Sequence, residues 1–399
     1  MARRNGGFIG TDGLDAPDPP TGVTVTSGVD GVASVAFTAP TDVGTSAITG
    51  FLAVTAGGTG STGSSSPLAF TGLTVGSATT INVYAINAYG TSSPTTSSSF
   101  TPAGSRGIFS NVGGTTNVIE YIAIGTTGNS VDFGDRSVVS SSNNSGQIAS
   151  STRGLFVGGS DSNNNRLNVI EYITMATTGN VTDFGNLSTA TAQSMTHSSS
   201  TRGITAGGYT SSIVNVIEYV TIANTGNATD FGDLSGVRRA GSGVGSTTRA
   251  VFCGGQGDSG NENTMEYVTI ANTGNVTDFG NLKATTNAPA SAGSNTRGLI
   301  AGNSVAAGND QDEIQYITIA STGNFTDFGN LASETYSAGG VSNATRAVFA
   351  GGVDDDADAD TDRMSYVTIA TTGNVTDFGD LSAAGDIRGT CSNAHGGLA

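Results

Sequence analysis

The sequence has no tryptophan, two cysteines, two histidines and eight prolines, and no apolar run approaches the ~18 residues of a membrane-spanning helix. Each shortage excludes something. Two cysteines cannot build a disulfide framework, and Cys253 lies in the apolar run from Arg249 to Gly255, where a small buried thiol is the expected state. His197 and His395 are too few for a zinc cluster or for a base repeated beside a nucleophile. Charged residues make up only 12%, unlike a solvated disordered chain, and the 60 glycines do not fall at every third position, which excludes collagen. Behind the two arginines of MARRNGGFIG there is no apolar stretch, so no secretory leader is expected. The 32 acidic against 15 basic side chains give a net charge of −17. Such a surface repels phosphate backbones and anionic bilayers, and neither a nucleic-acid partner nor membrane insertion is expected.

What is present is a Gly/Thr/Ser/Asn-rich chain with short β-branched runs, the composition of many short strands joined by tight turns. Residues 1–18 read as an irregular, extended N-terminal anchoring arm that needs a partner surface for order. Over 19–103 the hydrophobic period becomes two, as in Val32 to Thr38 and Thr80 to Ala88, which predicts a β-sandwich of about seven short strands. This stretch, from PPTGVTVT through GLTVGSATTINVYAINAYG to FTPAG, resembles a fibronectin type III domain. Phe37 stands where that family carries tryptophan, and Thr79 where it carries the corner tyrosine.

Residues 104–399 contain six copies of one unit. Asp-Phe-Gly recurs with phenylalanines at 133, 184, 231, 279, 328 and 378. A Thr-Gly-Asn turn precedes each of these phenylalanines, and an alternating strand centred on Tyr121, Tyr172, Tyr219, Tyr267, Tyr316 or Tyr366 precedes the turn. Each copy opens on Arg-Gly or Arg-Ala, at 106, 153, 202, 249, 297 and 346. The Asp-Phe-Gly aspartate persists in all six copies, whereas the glutamate beside the tyrosine becomes Gln315 and Ser365 in the last two. That makes the aspartate the expected carboxylate partner of the arginine. With a fourth strand from the variable segment between Asp-Phe-Gly and the next arginine, for example Ser235 to Thr248, each copy predicts one propeller blade. The tail CSNAHGGLA aligns on VSNATRAVF and is expected to supply the strand missing from the first copy. The predicted fold is all-β: a fibronectin type III-like sandwich followed by a six-bladed Kelch-like β-propeller closed by the C-terminal strand.

The unit NVIEYVTIANTGNATDFGDL, from Asn215 to Leu234, resembles the repeat of virion structural and tail-associated proteins of marine, cyanophage-like bacteriophages. That resemblance implies a virion structural protein, attached through its arm and sandwich to capsid or tail proteins. It would then serve head decoration, assembly or host attachment, and homo-oligomerisation on the particle would be expected. A tail fibre recognising host-surface glycans and a propeller glycosidase or depolymerase are the alternatives.

Catalysis has little material, and no enzyme is expected. Asp-Phe-Gly lacks the lysine and catalytic loop of a kinase, and the Asn-x-Thr matches in the repeated turn are accounted for by turn chemistry. Function is expected in the loops after the glycine pair, which differ from copy to copy. The sixth of these, VDDDADADTDR, places Asp354, Asp355, Asp356, Asp358, Asp360 and Asp362 within nine residues. If the loop curls, Asp354, Asp356, Asp358, Asp360 and Asp362 would converge on a hard cation, Ca²⁺ being favoured, although the spacing lacks the glycine and glutamate of an EF-hand.

Overall fold

The computed structural model describes residues 14–139, 145–303, 311–387 and 389–398. The chain separates into two compact units, Met1–Gly104 and Ser105–Ala399. Most of the expected arm, residues 1–13, lies outside the described residues.

In the first unit, alternating side chains form two antiparallel sheets. One holds Thr21–Ser27, Ala33–Thr38 and Leu68–Phe70; the other holds Gly60–Gly63, Ile48–Thr55, Ile81–Asn87, Gly90–Thr91 and Thr95–Thr96. Ile81, Val83 and Ala85 point every second side chain into a core shared with Val35, Phe37, Phe51 and Phe70. Phe37 and Phe51 meet at 4.8 Å between ring centroids. Each fully buried side chain of this size contributes roughly 1.5–3 kcal/mol. Before the first strand, the Asn87 amide donates to the carbonyls of Asp15 and Val43, tying the chain to the sheet edge.

The second unit repeats three antiparallel strands six times. In the third copy they are Arg202–Tyr209, Ile213–Thr221 and Thr229–Asp233. The tyrosine strand buries both faces: Ile217 and Glu218 are buried, Tyr219 is half-buried, and Val220 is buried again. In every copy the pairing slips by one residue opposite Asp-Phe-Gly, as where Ile217 faces Gly232 and Glu218 faces Asp230. This bulge makes the phenylalanine the extra residue. It turns the ring inward, leaving 1–2% of each phenylalanine exposed, while the neighbouring aspartate stays in solvent.

A fourth strand is not uniform. Met195–Ser198, Ser242–Gly245, Ala290–Gly293 and Gly339–Ser342 each pair with the arginine strand that follows. For the first copy the partner of Arg106–Ser110 is Gly389–Ser392 from the chain's end. The second copy's sheet has only three strands, and Ser145–Gly146 instead pairs in parallel with Met195 and Thr196.

The expected six-bladed Kelch-like propeller is therefore corrected to several small antiparallel sheets, of three to five strands, none closed on itself. Gly389–Ser392 becomes one edge of an open four-stranded sheet. The physical reason is that the variable segment carries no fixed hydrophobic alternation, so it contributes a paired strand in some copies and a loop in another.

Gly232 shows how tightly the copies meet. Its φ is +150°, and a Cβ there would lie 2.4 Å from the carbonyl oxygen of Gly274 in the next copy. Gly232→Ala is expected to destabilise the second unit by about 2–5 kcal/mol, through the strained φ and the backbone clash together. Chemical denaturation of the full chain measures it; an unchanged midpoint would contradict the packing described.

Candidate functional site

The recurring polar residues join one copy to the next. Each repeat arginine lies over the tyrosine of its own copy, at 4.8 Å for Arg106 on Tyr121 and 4.2 Å for Arg249 on Tyr267. That tyrosine meets the copy's Asp-Phe-Gly phenylalanine edge-on at 6.0–6.1 Å. From this stack the guanidinium donates to a main-chain carbonyl of the following copy. The acceptors are Met175, Ile222, Ile270, Ile319 and Ile369, and for Arg346 it is Ile124 of the first copy, all at 2.7–3.0 Å. The expected arginine–aspartate pairing is thus corrected. The six aspartates are exposed, and the guanidinium keeps its charge half-buried by combining an aromatic face with a carbonyl.

The Thr-Gly-Asn turn makes the second joint. Its glycine amide donates to the phenylalanine carbonyl of the preceding copy at 2.7–2.8 Å, as in Gly274 to Phe231 and, between first and sixth copies, Gly128 to Phe378. The asparagine carboxamide accepts the amide after Asp-Phe-Gly, as Asn275 does from Asp233 at 3.1 Å. This bond accounts for the asparagine of the repeated Asn-x-Thr pattern.

The glutamate beside the tyrosine faces the segment after the preceding Asp-Phe-Gly, and here the junctions differ. Glu171 accepts from Arg136 at 2.9 Å with both side chains buried. Glu266 accepts from Arg238, which also donates to the carbonyls of Thr264 and Gly254. Glu120 accepts from the Ser382 amide and from the hydroxyls of Ser130 and Ser382. Gln315 takes the Lys283 amide at 3.2 Å. Glu218, 7% exposed, accepts, among the described residues, only the Ser188 amide, at 3.0 Å, and lines a cavity of about 250 Å³.

The acidic loop does not gather its carboxylates. Asp354 is buried and accepts from Ser333 at 2.7 Å and from the Ala357 amide at 3.1 Å, with Arg363 at 3.6 Å. Asp356, Asp358, Asp360 and Asp362 are exposed, on and beside a short hairpin of Val353–Asp354 with Ala359–Asp360. Among the described residues no group of three or more His, Cys, Asp or Glu is placed to hold a metal ion. The Ca²⁺ expectation is therefore not carried forward.

The two histidines, far apart in sequence, meet where the C-terminal tail enters the unit. Asn393 accepts the Arg106 amide at 2.7 Å, as Asn343 does for Arg346 at 2.8 Å. Beyond it the tail passes inward. His395 lies 3.2 Å from the Ser198 hydroxyl, and its ring meets His197 edge-on at 5.6 Å. Nothing in the spacing of the sequence signals this pair. Burial pushes His197 down to about 3, with His395 beside it adding to the effect, and burial pushes His395 down to about 4. Cys253 and Cys391 are free and buried, and burial drives both thiols upward, Cys253 to about 12, so neither is a reactive nucleophile.

A scan against protein-family models gave no match, and a search of curated proteins found none similar. The fibronectin type III, Kelch and cyanophage resemblances gain no support from either comparison. The readings that rested on them, a virion structural protein, a host-binding tail fibre and a propeller depolymerase, are withdrawn.

The histidine pair yields a pH dependence. Both folded values lie below the usual ~6.5 of an unfolded chain, so the unfolded chain binds more protons and stability decreases as the pH is lowered. The contribution is complete above ~6.5 and is lost as pH falls from there toward about 4 for His395 and about 3 for His197. Between pH ~7 and pH ~5 each histidine is expected to remove about 2 kcal/mol. Denaturation midpoints across that range measure the slope, and replacing both His197 and His395 with glutamine should flatten it. Equal slopes in parent and double variant would contradict the buried neutral pair.

Proposed function

We propose that the chain is a non-catalytic binding scaffold whose variable loops hold a cationic protein partner. One observation carries the reading: the recurring arginine, tyrosine, phenylalanine and asparagine side chains are engaged in the joints between copies, while the loops after the glycine pair differ from copy to copy. Residues that recur for packing leave recognition to residues that differ.

Charge supports the partner's chemistry. A net −17 with Asp356, Asp358, Asp360 and Asp362 exposed on one loop favours encounter with a basic surface. Catalysis would need a paired acid and base in a cleft, whereas the two histidines are buried against each other and both thiols are protonated.

An array of immobilised basic, neutral and acidic peptides tests this. Asp356→Asn, Asp358→Asn, Asp360→Asn and Asp362→Asn together should weaken capture of basic peptides about tenfold at low salt, and high salt should erase the difference. A control removing the exposed Asp183, Asp230, Asp278 and Asp327 should leave capture unchanged. Equal loss in both variants would mean undirected charge attraction and would overturn the reading.

A further inference from the structure

We infer that the cavity between the second and third copies, lined by Glu218, is a socket for a guanidinium group. The inference deepens the binding-scaffold reading by naming the side chain the partner inserts.

The neighbouring junction shows what such a socket holds. Between the third and fourth copies, the Arg238 side chain runs beneath the glycine pair and donates to Gly254 O, Thr264 O and the Glu266 carboxylate. The backbone identifies the equivalent position one copy earlier. Arg238 O accepts the Gly208 amide at 2.7 Å, and Thr191 O accepts the Gly159 amide at 2.9 Å, each from the second glycine of a pair. Thr191 therefore occupies the place of Arg238, with a side chain too short to reach the carboxylate. By the same register Gly207, Val216 and Glu218 stand where Gly254, Thr264 and Glu266 stand around the guanidinium.

Those counterparts, Thr191, Gly207, Val216 and Glu218, all line the cavity of about 250 Å³. Among the described residues Glu218 is the only ionisable one in the lining, and the one hydrogen bond its carboxylate makes is from the Ser188 amide at 3.0 Å. A carboxylate this buried gains most from a cation that brings its own directed donors. Val214 and Val216, the latter 40% exposed, give apolar wall for a methylene stem. The hydroxyl of Thr205, also in the lining, is a further acceptor for a planar fork of N–H groups. Arg166 and Arg239 are outside the lining and are each held over the Tyr209 ring, at 4.6 and 4.8 Å.

Methylguanidinium titrated into the full chain, followed by amide shifts of Ser188, Thr191 and Glu218, tests the socket itself. Saturable shifts with a millimolar-range Kd are expected, weakened at least about tenfold by Glu218→Gln, which keeps an oxygen for the Ser188 amide. Thr191→Arg should abolish the shifts by filling the socket from within, as Arg238 does. No saturable shift in the parent, undiminished binding in both variants, or equal binding of methylammonium would overturn the inference. An arginine-containing peptide that binds more tightly than free arginine amide identifies a protein partner as the source; equal binding identifies a free guanidinium compound. Basic peptides captured by the acidic loop but indifferent to Glu218→Gln would sink the socket while leaving the scaffold reading intact.

Discussion

The second unit depends on one joint used six times: an arginine stacked on its own copy's tyrosine and bonded to the next copy's backbone carbonyl. A main-chain acceptor is present whatever residue supplies it, which is why Met175 serves as well as the five isoleucines. The tyrosine face desolvates one side of the guanidinium while the carbonyl satisfies its donors, so no carboxylate is required. This frees the acidic position beside the tyrosine, which can be glutamate, Gln315 or Ser365 without disturbing the joint. The bulge at Asp-Phe-Gly serves the same end by turning the phenylalanine edge onto that tyrosine.

Because the joint is independent of the variable segments, those segments can diverge. One becomes Arg238 and fills its own junction; its counterpart becomes Thr191 and leaves a cavity beside Glu218. Another, the C-terminal tail, supplies both an edge strand and Asn393, then carries His395 into contact with His197. Individual junctions therefore differ in charge and volume while sharing one frame.

Much of that frame is legible in the sequence. Asp-Phe-Gly, Thr-Gly-Asn and the tyrosine strand mark the repeat, and the tail's alignment on VSNATRAVF places Asn393 opposite Asn343. The arginine's partner is not legible, because a carbonyl acceptor leaves no residue signature and a recurring aspartate does. The bulge is equally silent, since a one-residue slip keeps the same letters. Equal blades are overstated by the repeat length, because a similar number of residues can end in a strand or a loop. The acidic run suggests a metal site by spacing, but Asp354 is drawn to Ser333 and Arg363 while Asp356, Asp358, Asp360 and Asp362 remain in solvent. That Thr191 replaces Arg238 is legible, since each stands seven residues after the phenylalanine of its own Asp-Phe-Gly, but that this position reaches the glutamate of the next copy is not, because the Arg238–Glu266 contact joins residues 28 apart across a junction.

Amide hydrogen exchange at the Thr-Gly-Asn glycines tests the central claim most directly. Five of them bond to the copy before, and Gly128 bonds to Phe378 across the whole length of the repeat array. If one joint links every copy to its neighbour, including the sixth to the first, Gly128 should be protected to the same degree as Gly179, Gly226, Gly274, Gly323 and Gly373. Rapid exchange of Gly128 alone would show the first and sixth copies unjoined, and rapid exchange of all six would contradict the joint itself.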